Sequence, residues 1–354
     1  MTERGGPPYY TDEELLEILM NSDEETSDID ENEVPTSNED EVDETESDLE
    51  DDGPPEEIAK LDGAFSCSNQ PFEPIIHRYN PATSELKNTF DPNSTPLMCF
   101  KQFFSEALLE HIVIETNRYA DDTSQTAPST SRQNKWKPTC HDELYVFLAV
   151  TILMVHTKKR KINDYWATDP LIVTPIFIQI ISRDRYILLL RNLHFANNEE
   201  QKNTNDRLFK IRTVVDHLKA AFSKSLHPFQ NLCIDESLML FKGRIGYKQY
   251  IPSKRHRFGI KFFSFCDCKA GCTLDSIIYT GSNSNIQEFE GNLGKGANIV
   301  LTLIEPYMYK GHNIFLDNWY SSPTLFRVLH QHEINACGTV RANRSHMPPL
   351  KKTK

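Results

Sequence analysis

The order of apolar segments after Pro228 constrains the fold more than any other feature of the sequence. The segments NLCIDES, FGIKFFSFCDC and CTLDSIIYT predict three strands, and a tight turn at residues 269–271 joins the last two. A helix in GANIVLTLIEPYM, a strand in NIFLD, a helix in PTLFRVLHQH and a strand in NACGTVR follow. Ser322 as N-cap and Pro323 at the first helical position mark the start of the second helix. The order β-β-β-α-β-α-β predicts a mixed α/β sheet.

The chain before this sheet is predicted to be helical. Apolar residues recur at helical spacing in FFSEALLEHIVIETNRYA, SRDRYILLLRNLHF and RLFKIRTVVDHLKAAF, and Ser182 is placed to cap the second of these helices. The longest apolar run, Leu144 to Val155, is too short to cross a bilayer and predicts a buried helix. We therefore expect a helical region over residues 95–226, a sheet domain over 227–354, and no membrane partner.

Charge separates the N-terminal residues from the rest of the chain. Residues 1–60 contain 24 Asp and Glu against two Lys and Arg, whereas the whole chain has a net charge of −13. The remaining residues therefore carry +9, because −13 minus −22 is +9. We predict a disordered acidic tail over residues 1–62, a linker over 63–94, and a basic body. A charge of +9 is compatible with a polyanionic partner and equally with ordinary surface charge.

Two aspartates follow strands that the predicted topology brings together. Asp235 ends NLCID and Asp317 ends NIFLD. If the strand after the crossover helix returns parallel beside the first strand, both carboxylates emerge at the same edge, about 4–6 Å apart. A divalent cation relieves their repulsion, and oxygen ligands suit Mg²⁺ or Mn²⁺. The pair predicts a metal-dependent phosphodiester site, although each aspartate taken singly is better explained as structural, Asp235 as a surface charge and Asp317 as a turn former ahead of a helix.

A basic, aromatic-rich segment follows the first aspartate. Residues 237–266 contain seven Lys and Arg and no acid, interleaved with Phe and Tyr. Basic side chains neutralise phosphates and aromatic rings stack on bases, so we predict DNA contacts here rather than an ordinary solvated hairpin. The predicted DNA-binding residues are Lys242, Arg244, Lys248, Lys254, Arg255, Arg257 and Lys261.

Two further motifs carry weaker predictions. Cys266, Cys268 and Cys272 are close in sequence, but no fourth ligand stands at the usual zinc spacing, so the sequence favours reduced thiols over a zinc site. The basic run KKRK, residues 158–161, predicts nuclear import.

Several motifs in one order resemble the piggyBac family of DNA transposases and their domesticated derivatives. The motifs are IDESLMLFKGR, KQYIPSKR, FGIK, FLDNWYSS and GTVRANR, preceded by DYWATDPL and RNLHFANN. The resemblance covers roughly residues 90–345. It implies an RNase H-like core after a helical dimerisation and DNA-binding region, a homodimer, and Mg²⁺-dependent cut-and-paste transposition of transposon ends at TTAA targets in the nucleus. It places the family's first two catalytic aspartates on Asp235 and Asp317.

The sequence departs from the family pattern after Asp317. The family has a third catalytic aspartate and a Cys-rich zinc module further on, whereas the 37 residues after Asp317 contain one acid, Glu333. We therefore expect an incomplete RNase H-like sheet, and DNA binding without cleavage by residues 1–354. Three interpretations stay open: a transposase or nuclease completed elsewhere, a domesticated DNA- or chromatin-binding protein without catalysis, and a transposon remnant.

Overall fold

The computed structural model describes residues 74–86, 91, 93–126, 128, 131–201, 205–252, 257–290 and 293–347. The predicted acidic tail and most of the predicted linker lie outside these residues. The helices are α1 Pro96–Phe103, α2 Glu106–Thr126, α3 His141–His156, α4 Pro175–Ile180, α5 Arg183–Asn192, α6 Asn198–Gln201, α7 Phe209–Ser225, α8 Lys295–Ile304 and α9 Pro323–Gln331. The strands are β1 Glu85–Leu86, β2 Leu226–His227, β3 Asn231–Leu240, β4 Gln249–Tyr250, β5 Phe258–Asp267, β6 Cys272–Ile278, β7 Asn313–Leu316 and β8 Asn335–Gly338. Short 3₁₀ turns lie at Pro81–Thr83, Arg132–Lys135, Ile162–Trp166, Gly281–Asn283 and Glu305–Tyr307.

The described residues form two compact units. One comprises residues 145–187, and the other comprises residues 74–144 with 188–347. Helix α7 lies in the same unit as the sheet. The reason is visible in the second unit: α7 lies against β6, where Lys219 Nζ is 3.1 Å from Asp275 Oδ1.

The unit of residues 145–187 is held by aromatic side chains. Phe147 and Tyr186 lie with ring centroids 5.0 Å apart, and Tyr165 packs edge-on against Phe177 at 4.8 Å. The Trp166 indole N–H donates to the carbonyl of Ile181 at 2.7 Å. In the described part of the chain, no helix has both the length and the apolar character needed to span a membrane.

The first predicted helix is interrupted in the structure. Ser105 separates α1 from α2, and its hydroxyl accepts a hydrogen bond from the Leu108 N–H at 3.3 Å. A serine side chain at that position satisfies a backbone donor that the start of a helix leaves unpaired, so a new helix begins there. The predicted apolar stripe is confirmed in α2, where Leu108, Leu109 and Ile112 are buried.

The sheet has the mixed topology that the sequence predicts. The main strand order is β6-β5-β3-β7-β8, with β4 also paired to β5. Strand β3 is antiparallel to β5 and parallel to β7, and β7 is parallel to β8. The predicted parallel return of β7 beside β3 is therefore confirmed, with α8 as the helix of the crossover.

Side chains alternate across β3, and this alternation sets up the candidate site. Leu232 and Ile234 are buried in the main core, which includes apolar residues of α8 and α9. Cys233 and Asp235 point to the other side, where Cys233 is half-buried and Asp235 is exposed. We call this side the open face; it also carries Ser264 and Cys266 of β5 and Phe315 of β7, because these residues lie opposite Asp235 and Cys233.

Candidate active site and basic surface

The register of β3 and β7 brings the two predicted aspartates to one edge of the sheet. Paired residues along the parallel ladder differ by 82 in number, from Asn231 with Asn313 to Ile234 with Leu316. Asp235 and Asp317 each come directly after the last paired residues, Ile234 and Leu316, and 235 plus 82 is 317. Neighbouring strands lie about 5 Å apart. Both aspartates are exposed, and each directly follows the last paired residue of the β3–β7 ladder at the same end of the sheet.

The two aspartates also share a local geometry. The Asp235 carboxylate accepts a hydrogen bond from the Glu236 N–H at 2.8 Å, and the Asp317 carboxylate accepts one from the Asn318 N–H. Beyond them the strands diverge. Strand β3 continues along β5 as far as Leu240, whereas the chain after Asp317 turns and begins α9.

The turn after Asp317 is fixed by hydrogen bonds to its backbone. The Asp317 carbonyl accepts from the Tyr320 N–H at 3.2 Å and from the Ser321 hydroxyl at 2.9 Å. The Ser322 hydroxyl then accepts from the Leu325 N–H at 3.1 Å, which confirms the predicted N-cap and leaves Pro323 at the first helical position. Asp317 is therefore held on a defined turn.

Negative charge is concentrated around the buried Tyr320. Burial raises the pKa of the Tyr320 phenol, and the nearby charges of Glu236, Asp235 and Asp317 raise it further. Glu236 lies on the core side of β3, opposite Asp235 in the alternation. A cation at this edge would meet an environment that already favours positive charge.

The donor set fits a hard divalent cation. Two exposed carboxylates at adjacent strand ends supply oxygen ligands and leave room for the waters that Mg²⁺ and Mn²⁺ retain. Among the described residues no group of three or more His, Cys, Asp or Glu side chains is placed to hold a metal ion. Asp235 and Asp317 therefore fit as two ligands of such an ion, with water or other groups filling the remaining positions.

Two arginines near the site, Arg341 and Arg344, lie in the GTVRANR motif, but the sequence analysis assigned neither of them a role. An Arg344 terminal nitrogen donates to the Trp319 carbonyl at 2.7 Å, and Arg341 Nε is 3.4 Å from the Asn318 side-chain oxygen. Both contacts hold the turn that follows Asp317. Strand β8 is parallel to β7, so the residues that follow β8 lie at the same edge of the sheet as the two aspartates. This strand direction is the feature that could have pointed to the two arginines.

The predicted basic surface divides into exposed and buried members. Lys242, Arg244 and Arg257 are exposed, and Lys248 is half-buried with its ammonium 5.6 Å from the Phe258 ring centroid. Lys254 and Arg255 lie outside the described residues. The exposed rings of Tyr250 and Phe258 stand 4.7 Å apart beside these charges.

Lys261 departs from the expectation of an exposed basic residue. It is 6% exposed, and its ammonium lies 4.9 Å from the Phe263 ring centroid and 5.3 Å from that of Trp319. Side chains alternate between the two faces of β5, and Lys261 lies on the same core-facing side as Phe263. The ammonium of Lys261 is therefore buried. Its ring contacts are those of a cation–π cluster, which places Lys261 in the core and away from the exposed basic residues.

The three cysteines considered for zinc, all within the described part of the chain, do not form a group that could hold a metal ion. Cys266 lies opposite Cys233 of β3, whereas Cys272 packs against the main core. The hydrogen bond with Cys233 lowers the pKa of the Cys266 thiol, and the same contact raises the pKa of the Cys233 thiol. The described cysteines are free thiols.

Comparison with known proteins finds one family and several relatives. The Transposase IS4 family matches residues 95–354. Human PiggyBac transposable element-derived protein 2 is 27% identical over 266 residues, covering 73% of this chain and 42% of that protein. Human PiggyBac transposable element-derived protein 3 is 26% identical over 282 residues, covering 78% of this chain and 44% of that protein. The chain thus spans less than half the length of these curated relatives.

A solved structure is similar to the fold. It is a cryo-EM structure of a piggyBac transposase synaptic complex with hairpin DNA, with a TM-score of 0.65 and 24% identity. The similarity covers 77% of this chain and 56% of that one. The predicted resemblance to piggyBac proteins and the predicted RNase H-like α/β fold are both confirmed.

Proposed function

Because the chain belongs to the Transposase IS4 family, we propose that it is a DNA-binding, metal-binding core of the piggyBac type. The observation that carries this proposal is the in-register placement of Asp235 and Asp317 on two parallel strands. The proposed partners are transposon ends and TTAA target DNA, bound by a homodimer in the nucleus. The proposed family reaction is phosphodiester cleavage followed by strand transfer.

Asp235 and Asp317 would hold Mg²⁺ or Mn²⁺ in this site. When bound, such an ion neutralises charge on a phosphoryl group and favours ionisation of an attacking hydroxyl. The protein contributes position: β3 fixes Asp235, and the turn stabilised by Ser321 and Arg344 fixes Asp317. The exposed rings of Tyr250 and Phe258 offer a stacking surface for bases, and the adjacent cations suit phosphates.

A DNA titration tests the binding part of the proposal. Residues 1–354 would be titrated with labelled duplex at several salt concentrations, and the affinity plotted against salt on logarithmic axes. Each lost phosphate contact reduces the slope by roughly 0.9. We expect a Lys242→Gln, Arg244→Gln, Arg257→Gln variant to lose roughly 2–3 units of slope. Lys210→Gln on α7, another exposed lysine, is the matched control and should change the slope little. A triple variant that behaves like the control would remove these residues from the interface.

Lys261 gives a second, opposite expectation. Because its ammonium is buried against Phe263 and Trp319, Lys261→Gln should lower the free energy of unfolding while leaving the salt slope unchanged. Thermal denaturation and the same titration measure both effects. A reduced slope with unchanged stability would place Lys261 in contact with DNA instead.

The acidic N-terminal residues are proposed to compete with DNA. Residues 1–60 carry a net charge of −22 against +9 on the remainder. Deleting them should tighten DNA binding most at low salt, where charges are screened least. Equal affinities for the full and shortened chains at low salt would exclude this competition.

A cleavage assay separates the enzyme from the non-catalytic alternative. Two carboxylates hold one ion weakly, and arranging two ions across a scissile phosphate ordinarily needs further ligands. We expect residues 1–354 to bind DNA bearing piggyBac-type ends without cutting it in Mg²⁺ or Mn²⁺. Cleavage that is lost in Asp235→Ala and in Asp317→Ala would establish catalysis by this chain and refute the expectation.

The alternative function is a domesticated DNA- or chromatin-binding protein. The observation that favours it is that no group of three or more metal-ligating side chains forms among the described residues.

The proposed nuclear location is tested by imaging a fluorescent fusion, with residues 158–161 changed from KKRK to alanines as the comparison. Retention of the altered fusion in the nucleus would show that this run is not the import signal.

A further inference from the structure

Two cysteines face each other across the strands that carry the candidate site. Cys233 of β3 is the direct cross-strand partner of Cys266 of β5, and the two thiols are close enough for each to shift the pKa of the other. Cys268, just past the end of β5, also contacts the Cys233 thiol. The Cys266 sulfur lies 3.8 Å from the Thr273 hydroxyl on the next strand. The pair therefore lies within a continuous row of side chains on the open face.

The backbone pairing gives the two cysteines a spacing that a disulfide accepts. The Cys268 N–H donates to the Asn231 carbonyl at 3.0 Å, which marks positions 231 and 268 as a hydrogen-bonded antiparallel pair. Such pairs recur every second residue, so Cys233 and Cys266 form the next one, with Cα atoms about 5.5 Å apart. Disulfides form at Cα separations of about 4.4–6.8 Å.

The pair is also open to reagents from solvent. Cys233 and Cys266 are both half-buried rather than enclosed in the core. Phe315, the neighbour of Cys233 on β7, is 41% exposed, and Cys337, the neighbour of Phe315 on β8, is exposed. The same face of β3 carries Asp235 two residues further on. A small oxidant can therefore approach this row from the side on which the candidate metal site opens.

We propose that Cys233 and Cys266 are a reversible dithiol site that exchanges with low-molecular-weight disulfides. One thiolate attacks a sulfur of oxidised glutathione, forming a mixed disulfide and releasing one glutathione thiolate. The second protein thiolate then attacks the protein sulfur of the mixed disulfide and releases the second glutathione. In total two protein thiols are oxidised to one disulfide, one glutathione disulfide is reduced to two glutathione thiols, and the two protein protons pass to glutathione.

Quantitative mass spectrometry of the full chain tests this site. The reduced protein is equilibrated in glutathione buffers of graded redox ratio, quenched in acid, alkylated and digested. A linked peptide containing both Cys233 and Cys266 should accumulate, and both residues should lose alkylation together. Because two electrons are exchanged, a roughly tenfold change in the ratio of oxidised glutathione to reduced glutathione squared should change the ratio of linked to unlinked protein roughly tenfold.

Serine variants identify the pair. Cys268→Ser should keep the linked peptide, whereas Cys233→Ser and Cys266→Ser should each abolish it. Cys99, on α1, is the internal reference and should remain alkylated at every ratio. Circular dichroism of each variant confirms that it is folded. Loss of the linked peptide in folded Cys268→Ser would assign the disulfide to another pair and overturn the proposal. Full alkylation of Cys233 and Cys266 at every ratio would overturn it as well.

Discussion

Neutralising either aspartate should stabilise the metal-free protein, because the two carboxylates stand on adjacent strands in register. The changes are Asp235→Asn and Asp317→Asn. Asparagine keeps a side-chain oxygen that can accept the hydrogen bonds from the Glu236 and Asn318 N–H groups. The substitution therefore removes charge while preserving the local turn geometry.

The size of the effect follows from the strand spacing. Two unit charges about 5 Å apart repel by about 0.8 kcal/mol in water and by about 3 kcal/mol at an effective dielectric constant of 20. Because both carboxylates are exposed, the low end applies, and salt reduces it further. Each single variant should raise the free energy of unfolding by roughly 0.5–1 kcal/mol. The double variant should gain little more, because the repulsion is already removed by the first change.

Chemical denaturation without metal and with a saturating series of MgCl₂ or MnCl₂ measures these effects. The wild-type protein should gain about 1.4 kcal/mol when the free metal is ten times its dissociation constant. Either single variant should lose most of this gain. Asp122→Asn, which changes an exposed aspartate on α2, is the matched control and should keep the full metal-dependent gain.

Two outcomes would refute the reasoning. If both single variants are less stable than the wild type and their effects add, the carboxylates do not repel each other across the strands. If the metal stabilises the double variant as much as the wild type, the ion binds elsewhere and the candidate site is wrong.

Two further predictions concern the scaffold. Gly338→Ala should lower the free energy of unfolding by about 1–3 kcal/mol, because a Cβ at this position would clash with the Leu316 carbonyl oxygen of β7. Gly246→Ala is the control: the space around Gly246 is open, so this variant should stay within about 0.5 kcal/mol of the wild type in the same denaturation assay. The Arg212 guanidinium lowers the pKa of the Asp206 carboxyl, so this pair stabilises the fold above the usual aspartate pKa, and the stabilisation is lost as pH falls through the lowered value. Arg212→Ala should therefore lower the free energy of unfolding by about 1 kcal/mol at pH 7, and this loss should shrink as the pH falls through the lowered Asp206 pKa. A loss that does not change with pH would exclude the ion pair as the cause.

The sequence by itself determined the strand and helix order of the sheet and the identity of the two aspartates. Periodicity was sufficient there because each strand alternates between a buried and an open side, and because Ser322 and Pro323 mark the start of α9 by local chemistry. The family was also recognisable from its motifs without coordinates, and the comparisons confirm the family. The break at Ser105 was missed, since apolar spacing continues across it and only the side-chain cap reveals the new helix.

Tertiary structure alone decided which residues meet. The parallel pairing of β3 with β7, at an offset of 82 residues, is a long-range contact that neither strand specifies alone, and it places Asp235 and Asp317 directly after the last paired residues, Ile234 and Leu316. The burial of Lys261 and the meeting of Cys233 with Cys266 depend in the same way on the register of β3 against β5, because a shift of one residue would turn each side chain to the other face. Local sequence signals determine where the helices and strands form, whereas long-range strand pairing determines which side chains become neighbours at the candidate site.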